Sequence, residues 1–418
     1  MKHRKRLALS VWLLASFLLL SGRAAAEGPP RLTIQEAVTE ALGANPEIAA
    51  AEHAWRAERE RPRQEGSLED PRFRYEAHNT PRPLALDEAA ETRYGVAQAI
   101  PFPWKLHLRA KAARAEADAV RQRYEQKRLE IAARVKTAYA DLYQAERNLE
   151  ITGRIREVAR NLVDTAQARY ETGEAPQQDL LKAQLALTQV GRDLNTLEED
   201  RRRALARLNA LMDRPQAMAA HTVTDLPVRP LLQEVEALER DAAAERPAVK
   251  AAALEVDRAE TERRLARLRY VPDFEIAGER RVNRGSDNGY GAMLMVTVPW
   301  VWSGKHRAAN TEAIERKREA ASALRAEQNA TAMGVREMFA RADRAYRNAE
   351  LLRTALVPQA RLTLESSRAS YEAGETDFLN VLDGLQSVLY LETQQVQEVA
   401  TWTAGVAGIE EMVGHALQ

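Results

Sequence analysis

The chain is written twice, and that duplication limits what it can fold into. Asn45-Pro46-Glu47-Ile48 opens a long Ala- and Arg-rich segment, and Arg246-Pro247-Ala248-Val249 opens another, with the prolines 201 positions apart. Far downstream, Ala168-Arg169-Tyr170-Glu171-Thr172-Gly173-Glu174 returns as Ala369-Ser370-Tyr371-Glu372-Ala373-Gly374-Glu375 at the same offset of 201. Between these anchors, Tyr94-Gly95 through Pro103-Trp104 answers Tyr290-Gly291 through Pro299-Trp300 at an offset of 196. Each half therefore contributes the same elements to one architecture. The expected organisation is a first repeat over 27–228 and a second over 229–418.

The order of elements within a repeat comes from local pattern. Leu32 to Gly43 reads as a short helix, with Thr33 as cap and Glu36 three residues on as its capping-box partner. Asn45-Pro46 starts a second helix running towards Gln64. Arg72 to Asn79 and Thr92 to Ile100 then alternate as strands do, and the second half answers with Asp273 to Arg280, a turn at Gly285-Ser286-Asp287-Asn288-Gly289, and Tyr290 to Val298. Each half thus holds one β-hairpin, at 71–101 and 272–299.

After Pro103-Trp104 and Pro299-Trp300 the pattern becomes helical for a very long way. Lys105 to Thr172 contains no proline and only Gly153 as an interior glycine; Ser303 to Ala373 is interrupted only by Gly304, Gly334 and Pro358. A helix of about 65 residues is on the order of 100 Å long, so these rods must project from any compact body. Val335, Ala342, Ala349 and Leu356 fall seven apart, interleaved with Met338, Ala345 and Leu352, and Leu187, Leu194 and Leu208 with Val190, Leu197, Ala204 and Leu211 repeat the rhythm on a return helix. A seven-residue repeat is the seam of a coiled coil, and alanine lets backbones approach closely. Gly173-Glu174-Ala175-Pro176 and Gly374-Glu375-Thr376 break two of the rods and turn the chain back, giving long helical hairpins over 105–213 and 303–415. The expected fold is mainly α with a small β part: antiparallel coiled-coil helices plus two β-hairpins.

Composition agrees with thin, solvated rods, since charged residues make up 29% and aromatics only 6%. Lys plus Arg and Asp plus Glu are equal at 61 each, which gives no electrostatic case for nucleic acid. The first residues read as a signal peptide over 1–26: a basic start at Lys2 to Arg6, an apolar run from Leu7 to Leu20, and Ala24-Ala25-Ala26 before Glu27. There is no cysteine, hence no disulfide, no thiolate metal site and no cysteine to acylate. His53, His78, His107, His221, His306 and His415 show no metal-ligand spacing. No nucleophile–base order or phosphate loop is present, so the reading is of a non-enzyme without cofactor or metal.

Two hairpins supply four strands, and a barrel needs about eight. Strands of nine to eleven tilted residues have the length that crosses hydrocarbon, where an open sheet edge is not viable, so protomers that pool strands would solve both problems. Pattern alone leaves open a small soluble sheet on a structural periplasmic coiled-coil protein that never inserts.

Over its mature length the chain resembles the TolC-type outer-membrane efflux family. The resemblance rests on the duplicated order of helix, β-hairpin and helix, on Leu32-Thr33-Ile34-Gln35-Glu36-Ala37, Asn45-Pro46 and the two Tyr-x-x-Gly-Glu turns, and on Gln98-Ala99-Ile100-Pro101 and Val298-Pro299-Trp300 at strand ends. It implies a homotrimer with twelve strands in one outer-membrane barrel in contact with lipid, and a twelve-helix periplasmic tunnel. The implied partners are a periplasmic adaptor and an inner-membrane pump. Arg169, Tyr170, Gly173 and Glu174, with Tyr371, Gly374 and Glu375, match the family's adaptor-docking tips. Two aspartates that the family carries after the second turn correspond to Asn380 and Asp383, so one acidic ring of the tunnel constriction is missing or is supplied by Asp377. The Pro-Trp strand ends and Lys305-His306-Arg307 are similar to the heavy-metal (CzcC-like) branch, which implies metal-cation efflux; drug efflux and type I protein secretion use the same kind of outer component.

Overall fold

The computed structural model describes residues 31–82, 84, 86–216, 222–285 and 287–417; the expected signal peptide and His221 lie outside them. Strand β1 (Arg31–Leu32) leads into α1 (Ile34–Ala44) through a closed capping box: Glu36 N donates to Thr33 Oγ1 at 3.2 Å, and Thr33 N donates to the Glu36 carboxylate at 2.8 Å. Asn45 caps α2 (Pro46–Glu58) by accepting from Glu47 N at 2.9 Å, and its Nδ2 donates to the Leu211 carbonyl at 2.8 Å, tying the head of the repeat to the end of its long hairpin. A short α3 (Arg61–Glu65) precedes β2 (Arg72–His78) and β3 (Glu91–Ile100).

The first rod, α4 (Pro103–Glu171), is a single helix of 69 residues, on the order of 100 Å long, and α5 (Gln177–Leu211) returns along it. The chain then pairs β4 (Thr222–Val223) in parallel with β1 and begins the second copy with α6 (Val235–Glu245), α7 (Pro247–Arg267), β5 (Phe274–Asn283) and β6 (Gly289–Val296). The second hairpin of rods is α8 (Ser303–Leu351), α9 (Val357–Glu372) and α10 (Phe378–Val413).

The second outgoing rod is not one continuous α-helix, because Leu352–Leu356 forms a wide π turn between α8 and α9. Pro358 explains it: proline has no N–H to donate, and its ring collides with the carbonyl four residues back unless the turn opens. The extra residue in that turn rotates the helix beyond it, and Leu356, expected in the seam, is left 36% exposed. The rest of that seam holds: Val335, Ala342, Ala345, Ala349 and Leu352 are buried and Met338 packs beside them. On α5, Val190, Leu208 and Leu211 are buried, whereas Leu194 and Leu197 are only half-buried.

Rod α4 packs on α5, α7 and α10, and α10 packs in turn on α8 and α9, so the two copies interlock along α4 and α10. Where α10 packs on α8, a Cβ on Gly405 would lie 3.0 Å from the Ala342 Cβ, so the absence of a side chain there lets the two helices approach closely. Tyr139, fully buried at the middle of α4, pins the rods to the β1–β4 pair: its hydroxyl donates to the Leu32 carbonyl at 2.6 Å and accepts from Thr224 N at 2.9 Å.

The four long strands form one antiparallel sheet in the order β2-β3-β5-β6. The two hairpins join at β3 and β5, in register from Ile100 opposite Phe274 to Glu91 opposite Asn283. Pairing with all ten residues of β3 carries β5 to Asn283, three residues past its alternating pattern, while β6 stops at Val296. Strands β2 and β6 are left as open edges of the protomer.

Candidate functional site

Two regions carry the functional geometry, the sheet at one end of the rods and the reversal tips at the other. The register divides the sheet into two unlike faces, because side chains alternate along a strand and paired residues share a side. One face carries Arg72, Arg74 and Glu76, then Gly95, Arg93 and Glu91, then Glu275, Glu279 and Arg281, then Met293 and Met295. Its charges pair with one another, Arg72 with Glu275 at 2.7 Å, Arg93 with Glu91 at 2.6 Å, and Arg281 with Glu91 at 3.3 Å.

The opposite face is apolar and exposed. Ile100, Phe274 and Val296 make one row, Val96, Ile276 and Leu294 lie further along, and Tyr75, Tyr94, Arg280 and Tyr290 share the next aromatic level. Phe73 is 70% and Leu294 65% exposed, values no single-domain core would leave on its largest apolar patch. Within the apolar rows Gln98 is polar and folds back, its Nε2 donating to the Glu69 carbonyl at 2.8 Å, while Arg280 stands at the aromatic level. Beyond the strands on the rod side, Trp104, Trp300 and Trp302 are also exposed. Six residues separate Val296 from Tyr290, roughly 20 Å of strand, and the tryptophans lie beyond Val296, so tyrosines and tryptophans bracket an apolar band. No helix among the described residues is long and apolar enough to cross a membrane.

At the tips the two turns share one backbone. Gly173 has φ 79° and Gly374 φ 80°, left-handed torsions that cost other residues strain, and each glycine N–H donates to the tyrosine carbonyl three residues back at 3.0 Å. The side chains diverge. Tyr170 is 43% exposed, whereas Tyr371 is buried at 3%. Arg169 turns away from solvent into the second tip: its guanidinium donates to the Tyr371 carbonyl, lies over the Tyr371 ring at 4.7 Å and faces Glu174 at 3.7 Å. Tyr371 Oη donates to the carboxylate of Asp179 on α5 at 3.3 Å, and its ring stands 5.2 Å from that of Phe378. Burial, then the neighbouring Asp179 carboxylate, push the Tyr371 phenol up to about 12. Glu174 and Glu375 remain exposed.

The three residues expected at the constriction lie along the start of α10. Asp377 is its N-cap, accepting from Leu379 N at 3.4 Å, and Asn380 Nδ2 donates to Thr376 Oγ1 at 2.8 Å. Asn380 and Asp383 line an open groove of about 630 Å³ between α9 and α10, together with Thr363, Ser366 and Ser370.

Sequence reasoning missed Asp179, which stands six residues after Gly173 just as Asn380 stands six after Gly374; the repeat offset was the signal that could have found it. It also missed the buried glutamates of α10. Glu392 accepts from Arg154 on α4 at 2.9 Å and Arg361 on α9 at 2.7 Å, and Glu398 accepts from Arg344 at 2.9 Å and Asn348 at 3.0 Å. The signal there is that α10 contains five acidic residues and no basic one, so its neutralising cations must come from other helices.

Known proteins share this geometry. The family model described as outer membrane efflux protein matches residues 37–214 and 238–415. Among solved structures, the outer-membrane channel OprN is 17% identical with a TM-score of 0.80, over 92% of this chain and 90% of that one. The outer membrane protein VceC from Vibrio cholerae is 16% identical with a TM-score of 0.77, over 92% and 97%. CusC, described as forming a transmembrane channel, is 15% identical with a TM-score of 0.75, over 92% of each chain. At these identities the likeness establishes the fold. A search of curated protein sequences returned no significant match.

Proposed function

The chain belongs to the outer membrane efflux protein family, and from that premise we propose that it is the outer-membrane conduit of a tripartite efflux system that exports metal cations. The family consists of outer-membrane efflux channels, which pass substrates and catalyse no reaction. The observation that carries the reading is the two-faced sheet with two open edges. In hydrocarbon an unpaired edge leaves backbone groups without partners, so β6 of one protomer pairs with β2 of the next, and three protomers close twelve strands. The apolar face then meets lipid and the charged face lines the pore.

The rods continue the pore through the periplasm, and the turns at Gly173 and Gly374 form the end that meets the adaptor. Of the residues assigned to that docking surface, Tyr170, Glu174 and Glu375 present their side chains outward; Arg169 and Tyr371 act by holding the second tip in shape. Asp383 and Asn380 line the mouth, and three copies of Asp383 around one axis would favour cations by the logic of charged constrictions. Energy comes from the inner-membrane pump, through the adaptor.

Metal cations are favoured as cargo by the Pro-Trp strand ends and Lys305-His306-Arg307. Deleting the gene should sensitise cells to divalent metals and leave tolerance of dyes and antibiotics unchanged. The opposite profile would replace metal efflux with drug efflux and leave the conduit in place. In planar bilayers, Asp383→Ala should lower cation preference and weaken block by multivalent cations without affecting insertion; unaltered selectivity would return Asp383 to an ordinary surface role.

A further inference from the structure

The join between sheet and rods carries a cluster of cations that the protein itself does not neutralise. Along the rods arginines are paired as a rule: Arg263 with Glu260 at 2.8 Å, Arg344 with Glu398 at 2.9 Å, Arg353 with Glu350 at 2.7 Å. Within the first turns beyond the sheet, Lys111, Arg267, Arg269, Lys305 and Arg307 are all exposed, and none of their side chains makes an ion pair or hydrogen bond among the described residues. Lys111 shares a groove with Asp118, Asp257 and Glu260, which leaves Arg267, Arg269, Lys305 and Arg307 against the unpaired carboxylates Glu65, Glu69 and Asp70, while Asp273 is committed to the buried Lys105 at 2.9 Å.

The cations stand beside the exposed tryptophans. Trp104, His107 and Lys111 form one stripe of α4, three and then four residues apart, with the Trp104 and His107 rings edge-on at 5.7 Å. On the neighbouring rods, the rings of Tyr270 and His306 lie 5.4 Å apart, which brings Arg267 at the end of α7 and Arg269 in the turn just beyond it towards Lys305 and Arg307 at the start of α8. An aromatic ring with bases just outside it, on the rod side of an apolar band, has the chemistry of a lipid headgroup layer. Indole rings sit at the interface, and guanidinium and ammonium groups bind phosphate.

We propose that this junction binds anionic phospholipid headgroups, of the phosphatidylglycerol type, in the leaflet that faces the rods. The inference rests on the outer-membrane reading above and adds a lipid specificity to it. Headgroup phosphates occupy the positions that carboxylates hold elsewhere on the rods and fix the depth and rotation of the barrel where the helices begin.

The test uses the full chain reconstituted into phosphatidylcholine vesicles containing a minor fraction of phosphatidylglycerol, with lipid retained after extraction measured by native mass spectrometry. Insertion is scored separately, by protection of the sheet from added protease. The protein should retain phosphatidylglycerol above its share of the vesicle. The triple variant R269Q/K305Q/R307Q should insert normally and lose that enrichment by on the order of tenfold or more, since each basic residue at an anionic surface counts for roughly fivefold. Insertion without headgroup preference, or a variant that keeps the preference, overturns the proposal alone. Displacement of the lipid by millimolar inorganic phosphate would make it a free-anion site and also overturn it. Failure of the unaltered protein to insert would overturn the outer-membrane reading together with the proposal.

Discussion

The first tip and the second tip have the same backbone and opposite side-chain economies. Both reverse a rod through a left-handed glycine with matching hydrogen bonds. Yet the first displays its tyrosine and sends its arginine across to its neighbour, while the second buries its tyrosine against Arg169, Asp179 and Phe378. At the repeat offset, Arg169 corresponds to Ser370, Asp179 to Asn380 and Gln177 to Phe378, so each of the three partners of Tyr371 exists in one copy only. Duplication preserved the turn, and divergence supplied the lock. A symmetric pair of turns would leave both rods equally free, whereas these three differences fasten α9 and α10 to α4 and α5.

The largest effect should come from removing the buried ring. Tyr371→Ala empties a packed site and should lower the local stability of the second tip by ~3 kcal/mol or more, whereas exposed Tyr170→Ala should stay within about 0.5 kcal/mol. Hydrogen exchange of the tip amides measures both, and equal losses would show that the clamp is not what holds the tip.

A smaller but more specific effect belongs to the arginine. Arg169→Ala removes a charged donor to the Tyr371 carbonyl and a cation over its ring, together about 2 kcal/mol, and should speed exchange at the second tip as well as its own. Ser370→Ala, at the matching position, should change neither. If Arg169→Ala loosens only the first tip, the crossing contact contributes nothing.

The smallest effect is a titration. Because Tyr371 is held neutral up to about 12, against about 10 for a free phenol, its contribution is complete below pH ~10 and is lost as pH rises towards about 12. Ultraviolet difference titration should show one late-ionising tyrosine that vanishes in Tyr371→Phe. A late ionisation that survives this substitution would assign it to another ring.

What was legible in the sequence divides along local and long-range lines. Thr33 with Glu36, Asn45 before Pro46, the alternation of the strands and the turn glycines all act within a few residues, and the structure places helices and strands where those signals stand. The seam that begins on α8 was legible up to Leu352 and failed at Leu356, because a periodicity read in steps of seven makes no allowance for the turn that Pro358 forces open. The joining of β3 to β5 brings together segments more than 170 residues apart, and alternation gives each strand its faces without its neighbour. The inward turn of Arg169 was invisible for a related reason: a turn motif says where the backbone reverses, and only the packing of the second copy against the first says what the arginine reaches. The acid-only composition of α10 requires cations from other rods, and composition does not say that Arg154, Arg361 and Arg344 supply them.

The clamp matters only if the rods end in a membrane-crossing barrel, and that claim turns on the two faces of β6. Leu294 shares the apolar face with Ile276, and Met293 shares the charged face with Ala277. The decisive measurement is therefore the yield of heat-sensitive, outer-membrane trimer from Leu294→Asp beside Met293→Asp, expressed at equal levels. A carboxylate facing hydrocarbon costs on the order of a few kcal/mol per protomer near the bilayer midplane, and one facing the pore costs little. A lipid-facing Leu294 predicts that Leu294→Asp abolishes the trimer while Met293→Asp assembles normally. Equal, normal yields of both would contradict it and leave the sheet a soluble appendage of the rods.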